Sequence, residues 1–287
     1  MYNYQKKSLP NNAWEIIVDI PAKTIKEQKE KTLKNQLEKL TIPGYRPGKA
    51  PKSIGQKYIK PEETYEQLIK DLLPPIYQEI IQKENLRPIV SPKVELTKAK
   101  EGEDWQFKIT IAEKPLVQLG DYRERIKKLK IKAKPADIWV PGKTKEKEEK
   151  KDDETKLLNQ IFQELLSGCV CQMADLIIEE ELNRRLSQLV DDVQKLGLTI
   201  ETYLSSKGIT LDELKNQIKK EVEEMYKLEF ILQEIAEKEG IVVEKSDLDK
   251  IFSVIQDPKE RERAQQNSYF YSMLLRKQKT LDFLLNL

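Results

Sequence analysis

The sequence contains no histidine and only two cysteines in 287 residues. The first absence removes the commonest general base and metal ligand. The second removes any disulfide framework; Cys169 and Cys171, at i and i+2, are read as packing residues on different sides of a helix rather than as a metal or redox pair. There is no G-x-x-x-x-G-K-[ST] phosphate loop, so neither nucleotide-driven action nor any other cofactor is expected. No apolar run is long enough to span a membrane, and MYNYQKKSLPNN lacks the apolar centre of a signal peptide. The expected compartment is the cytoplasm, with no membrane partner.

What is present is charge. Asp, Glu, Lys and Arg make up 35% of the chain against 38% hydrophobic residues, a balance that reads as soluble, helix-rich and globular, with length enough for two domains. The net charge of +2 conceals an asymmetry: residues 1–60 hold 13 Lys/Arg against 5 Asp/Glu, and the remainder is net acidic. A basic end on an acidic body suits docking on a nucleic-acid-rich surface by one end, although a Lys-rich solvated face has the same composition.

The basic end contains Thr41 to Pro51, TIPGYRPGKAP. Gly44 and Gly48 permit backbone angles closed to other residues, while Pro43, Pro47 and Pro51 fix φ and remove amide donors. A stiff, exposed loop is expected, carrying Tyr45 and Arg46 with Lys49 and Lys52 close behind. An aromatic anchor beside cations fits a partner with both phosphate and protein surface.

Around the loop, Trp14 to Ile20 reads as a β-branched strand stopped by Pro21, and Lys23 to Leu40 as an amphipathic helix. Pro51 can open a short helix through Tyr58. A strong apolar stripe from Tyr65 to Ile81 is interrupted by Pro74 and Pro75, where a kink or break is expected. Lys93 to Ala99 and Trp105 to Ala112 alternate as strands joined by a turn at Glu101 to Asp104. The order gives an α+β domain, a small antiparallel sheet with helices on one face.

The spacing G-Y-R-x-G-x-x-P resembles the signature loop of the trigger factor family, ribosome-associated bacterial chaperones in which the pattern is G-F-R-x-G-x-x-P; Tyr45 stands where Phe is usual. Pro47 stands where members often carry a basic residue, and Lys49 is a substitute for that contact. The resemblance to the family's ribosome-binding domain extends through residues 1–120, including the acidic-Gly turn and the exit Pro115-Leu116-Val117-Gln118-Leu119-Gly120. It implies ribosome docking by Gly44, Tyr45, Arg46, Pro47, Gly48, Lys49 and Pro51, toward large-subunit protein and rRNA near the exit of the nascent chain.

Residues 121–152 read as a charged linker, with Arg123 to Lys134 extended, Pro135 to Gly142 a loop and Lys143 to Glu154 almost wholly charged. In most family members this junction carries an FK506-binding-type prolyl isomerase domain. Too few residues remain here for such a core, so no isomerase activity and no catalytic residue are expected.

Residues 153–287 read as all-α. A stripe from Leu157 to Leu166 forms one helix, and Asp175 caps another that Gly197 ends. Thr210-Leu211-Asp212-Glu213 is a capping box opening a helix to Gly240. Ser246 begins a short helix, and Asp257-Pro258 opens one final helix running to Leu285. The resemblance implies a helical body with elongated arms forming an open cradle for nascent or unfolded polypeptides. Met225, Phe230, Phe270, Tyr271 and Met273 are candidate client contacts, since Met and aromatics adapt to varied apolar partners; core packing is the competing reading.

Taken together these readings favour an ATP-independent chaperone docked on the ribosome. The alternatives are a peptidyl-prolyl isomerase, as full-length members would suggest, and a helical RNA-binding adaptor. A homodimer of free molecules that covers the cradles is left open.

Overall fold

The structure is a computed structural model that describes residues 2–43, 45, 51–133 and 147–287, with side chains described except at 52, 53, 132, 133 and 147–153. It divides into two compact units, Met1–Lys114 with Ala174–Glu180, and Pro115–Met173 with Glu181–Leu287.

The first unit is built from β1 (Asn3–Leu9), β2 (Ala13–Ile20), α1 (Ala22–Lys39), α2 (Lys52–Gly55), α3 (Pro61–Lys83), β3 (Lys93–Lys98) and β4 (Trp105–Ala112). The strands form an antiparallel sheet in the order β1-β2-β4-β3. Register places Ile16 opposite Ile109 and Val18 opposite Phe107, so alternate residues of β2 and β4 share one face. That face is the core: Ile16, Val18, Ile20, Phe107, Ile109 and Ile111 pack against Leu68, Leu73, Ile76 and Ile80 of α3. The opposite face is polar, with the Lys108 ammonium 3.2 Å from Glu95 and 3.5 Å from Glu15.

Two features depart from the sequence reading. β1 was not foreseen, because its sequence, NYQKKSL, buries nothing fully and lacks an apolar alternation. Its signal lies in the turn, where Asn11 and Asn12 both take positive φ (61° and 60°), a conformation Asn tolerates well. Of the kink or break expected at Pro74 and Pro75, the break does not occur, since α3 is one helix through both. Proline removes the donors to the Lys70 and Asp71 carbonyls, but these residues and both prolines are exposed, so water can satisfy them. Leu73 and Ile76, buried on either side, hold the two halves to the same sheet.

The second unit contains a two-stranded pair, β5 (Val117–Gln118) with β6 (Val170–Cys171), and the helices α4 (Tyr122–Ala133), α5 (Lys147–Gly168), α6 (Asp175–Lys195, from Glu181 on), α7 (Ile200–Lys207), α8 (Leu211–Lys238), α9 (Lys245–Val254), α10 (Pro258–Gln266) and α11 (Ser268–Asn286). Its core joins Leu119, Tyr122 and Ile126 to Ile161 and Leu165 of α5, Ile231 and Ile235 of α8, and Leu284 of α11. Thr210 forms the expected capping box with Glu213. Asp257 caps α10, and Gly197 takes φ 74° beyond the end of α6.

Arg123 to Lys134, read as extended, is helical as far as Ala133. Buried Tyr122 and Ile126, four residues apart, supply the apolar edge that the surrounding charges obscure. The Tyr122 hydroxyl donates to Glu239 Oε1 (2.5 Å), and Arg123 pairs with the same carboxylate, tying α4 to the end of α8. The final helix, expected as one piece, is divided at Asn267 into α10 and α11. The cysteines do not share a helix: Cys169 follows α5 and Cys171 lies in β6. Cys169 lies in the core, and burial pushes both thiols up from their ordinary range.

Candidate functional site

The ends of the Thr41 to Pro51 segment are fixed by packing. Ile42 is 3% exposed. Its carbonyl accepts from the Tyr45 N–H at 3.0 Å, a turn that leaves the Tyr45 side chain 41% exposed. On the other side, the Pro51 carbonyl accepts from the Ile54 and Gly55 N–H groups (2.9 and 3.0 Å) and opens α2. Gly55 is buried, and a Cβ there would overlap Leu37 Cδ2 of α1. Thus α2 lies directly against the C-terminal turns of α1. Gly44, Arg46, Pro47, Gly48 and Lys49 lie outside the described residues. Tyr58, 58% exposed just beyond α2, is a further aromatic on this end that the loop motif did not single out.

In the second unit the candidate client residues separate. Phe230 is 7% exposed and stacks with Tyr226 at 6.1 Å between ring centroids, so it belongs to packing and offers no face to a partner. Tyr271 is half-buried, set edge-on between Phe252 (5.5 Å) and Phe270 (5.7 Å). Phe270 (63%) and Met273 (47%) are exposed, and they are joined on α11 by Tyr269 (79%) and Leu274 (54%), which sequence reasoning missed. Positions 270, 273 and 274 follow the i, i+3, i+4 spacing of a single helix face. The stripe was legible as such, but only burial distinguishes an outward face from a core one.

Met225 stands apart from that face. Half-exposed, its sulfur accepts from Arg185 Nη2 at 2.9 Å. Arg185 also reaches Glu181 (3.0 Å), a carboxylate 5% exposed that pairs with Arg184 at 2.6 Å as well. The hydrogen bond from Arg184, followed by that from Arg185, holds the Glu181 carboxyl below the ordinary carboxylate range against the opposing effect of burial. This cluster orders the α6–α8 contact.

Among the described residues, no group of three or more Cys, Asp or Glu side chains is placed to hold a metal ion. No helix among them is long and apolar enough to cross a membrane.

Comparison with known proteins agrees with this layout. The family model described as bacterial trigger factor protein matches residues 2–139, and that of the trigger factor C-terminus matches residues 142–285. A trigger factor of Moorella thermoacetica is 32% identical over 133 residues, 46% of this chain and 30% of the relative. One from Staphylococcus aureus strain JH9 is 26% identical over 178 residues, 62% of this chain and 35% of the relative. The chain therefore spans about a third of the length of these curated relatives. A solved structure of the trigger factor chaperone, reported for promiscuous substrate recognition in folding and assembly activities, has the same fold, with a TM-score of 0.64, 15% identity and 99% of both chains covered. With the sheet-and-helix unit followed by a mostly helical region, and with both family models matched along nearly its whole length, the chain belongs to the trigger factor family.

Proposed function

We propose that this protein is an ATP-independent chaperone that docks on the ribosome through the Thr41 to Pro51 segment and shields unfolded polypeptides with apolar surface on its helical unit. The observation that carries this reading is the exposed face of α11, where Phe270, Met273 and Leu274 stand open to solvent beside Tyr269. Large contiguous apolar exposure is uncommon on a monomer surface without a partner. Phenylalanine and methionine accept partners of varied shape, which suits clients that share no sequence. Many weak contacts of this kind also permit release when a client folds.

Docking falls to the other unit. Tyr45 is the aromatic anchor, with Arg46 and Lys49 for phosphate or acidic side chains, and Gly44, Pro47, Gly48 and Pro51 shape the segment. Packing at Ile42 and Gly55 limits the freedom lost on docking. The partners are large-subunit protein and rRNA near the exit of the nascent chain, in the cytoplasm. The two family models meet with residues 140 and 141 between them, which supports a chaperone without the isomerase domain usually inserted at this junction.

The test is aggregation of a chemically unfolded protein, without ATP, together with co-sedimentation with ribosomes. Suppression of aggregation by wild type and ribosome pelleting at low salt are expected. Tight binding to naked RNA with no effect on aggregation would replace this reading with that of an RNA-binding adaptor.

A further inference from the structure

A groove of about 620 Å³ opens on the first unit between α1 and the turn joining β3 to β4. It lies outside both the docking segment and the helical unit. Its floor is apolar: Ile25 and Leu33 from α1, Tyr65 from α3, and Trp105 from the start of β4. The two rings are 5.6 Å apart and tilted. Trp105 is fixed by its indole N–H, which donates to the Lys100 carbonyl at 3.2 Å. The volume falls within the range of sites that enclose a substantial ligand, and the aromatic and branched floor is usual for them, here set within a charged rim.

The walls are held in place by specific contacts. Lys29 Nζ donates to Glu101 Oε1 (2.6 Å) and to the Tyr65 hydroxyl (2.7 Å), tying α1 to the turn. The Ala22 N–H donates to Asp104 Oδ1 (2.8 Å) at the mouth of the same turn. Gly102, at φ 82°, reverses the chain and adds no side chain to the lip.

The rim decides the occupant. Lys29 and Glu101 neutralise each other, which leaves Lys23, Lys26 and Glu30 on α1 and Glu103 on the turn without an ion pair within 4 Å among the described residues. Both signs are therefore offered around an apolar floor. A polyanion such as nucleic acid, or the headgroups of an anionic lipid surface, would meet carboxylates at Glu30 and Glu103. An extended polypeptide with an apolar side chain between charged neighbours matches floor and rim together.

We propose that this groove is a second contact point for unfolded polypeptide, taking one aliphatic or aromatic side chain of an extended segment whose flanking Asp or Lys residues meet the rim. The inference rests on the client reading above and adds a site on the first unit, separate from α11.

The probe is a short capped peptide with a central Leu-Phe pair between Asp and Lys, compared with the same peptide carrying Ser-Ser. Binding is read from Trp105 fluorescence in a chain whose other tryptophans are replaced (Trp14→Phe, Trp139→Phe). The Leu-Phe peptide should change Trp105 emission with saturation, and the Ser-Ser peptide should not. Leu33→Asp should weaken binding on the order of tenfold, since it places a carboxylate where an apolar side chain is to be buried. Should Leu33→Asp fail to fold, Lys23→Glu/Lys26→Glu on exposed positions carries the test: it should favour peptides with Lys flanks and disfavour those with Asp flanks. Unchanged peptide affinity in a folded Leu33→Asp chain, or no change of flank preference in the lysine variant, overturns the groove. So does a Leu33→Asp chain that loses self-association but keeps the peptide, which would assign the groove to a second copy. If peptide binding is abolished by Phe270→Ser/Met273→Ser and not by Leu33→Asp, the groove fails and the client reading stands. If wild type binds neither peptide and does not suppress aggregation, the client reading fails and the groove with it.

Discussion

Gly55 of α2 lies so close to Leu37 of α1 that a single added methyl group would overlap the leucine Cδ2. The Leu40 side chain is next nearest, at 4.0 Å from the same point. Gly55→Val should therefore lift α2 from α1, at an overpacking cost of about 1–3 kcal/mol. Ribosome co-sedimentation should fall while aggregation suppression is kept, and Leu37→Ala in the same chain should recover most of the binding. Loss of both activities together would mean that the whole chain, not the base of the docking segment, was damaged.

Replacing Tyr45 and Arg46, the side chains proposed for docking, should give a sharper effect. Tyr45→Ala/Arg46→Ala should abolish pelleting with ribosomes without altering thermal stability, because Tyr45 is exposed and surface changes are usually within about 0.5 kcal/mol. Wild-type association should weaken steeply as salt rises, as expected of contacts to phosphate. A variant that pellets like wild type at both low and high salt would remove this segment from docking.

The α11 face separates from the core by mutation. Phe270→Ser/Met273→Ser should reduce aggregation suppression several-fold and leave ribosome binding and melting temperature intact. Phe230→Ala should instead lower the melting temperature, destabilising the fold by about 3–5 kcal/mol, as for a buried phenylalanine. Equal loss of client protection from both, after correction for the fraction folded, would count against α11 as the contact face.

Glu181 should make stability depend on acid. Its folded carboxyl lies below the ordinary value because of Arg184 and then Arg185. The unfolded chain thus binds the proton more readily, and the stabilisation is present above the unfolded value near about 4.3 and lost as pH falls through the lower folded value. Thermal melts from pH 7 to pH 3 should show this decline. Glu181→Gln should lower stability at pH 7 by about 1–2 kcal/mol and flatten the acid limb. An acid limb of undiminished slope in the variant would assign the effect to other carboxylates.

The sequence was most informative where local chemistry alone decides structure. Thr210 with Glu213, Asp257 with Pro258, and the alternating Trp105 to Ala112 strand each formed as spacing predicts. It was least informative where a segment depends on a distant partner. β1 has no apolar rhythm of its own and exists by pairing with β2. Arg123 and the lysines of α4 mask Tyr122 and Ile126, whose burial is set by α5, α8 and α11. Phe230 and Phe270 are the same residue type on helices, yet one faces Tyr226 and the other solvent, a difference fixed by packing between helices. The family signature in the loop was legible residue by residue; the outward face of α11 and the groove beside Trp105 required the fold.

The core that joins Leu119, Tyr122 and Ile126 to Leu284 bears on how the protein is made. Lys130 Nζ donates to the Leu285 carbonyl at 2.6 Å across 155 residues. While the chain is being synthesised, α4 can pack on α5 and β5 can pair with β6 early, but the part of this core that α11 supplies joins last among the described helices. The sheet β1-β2-β4-β3 needs nothing beyond Ala112 to close its ladders. Assembly should run from a first unit whose strands pair early to a helical unit that waits for α11, with long-range closure as its slow step. Under the function proposed above, a protein that shelters unfinished chains would itself be one for much of its synthesis.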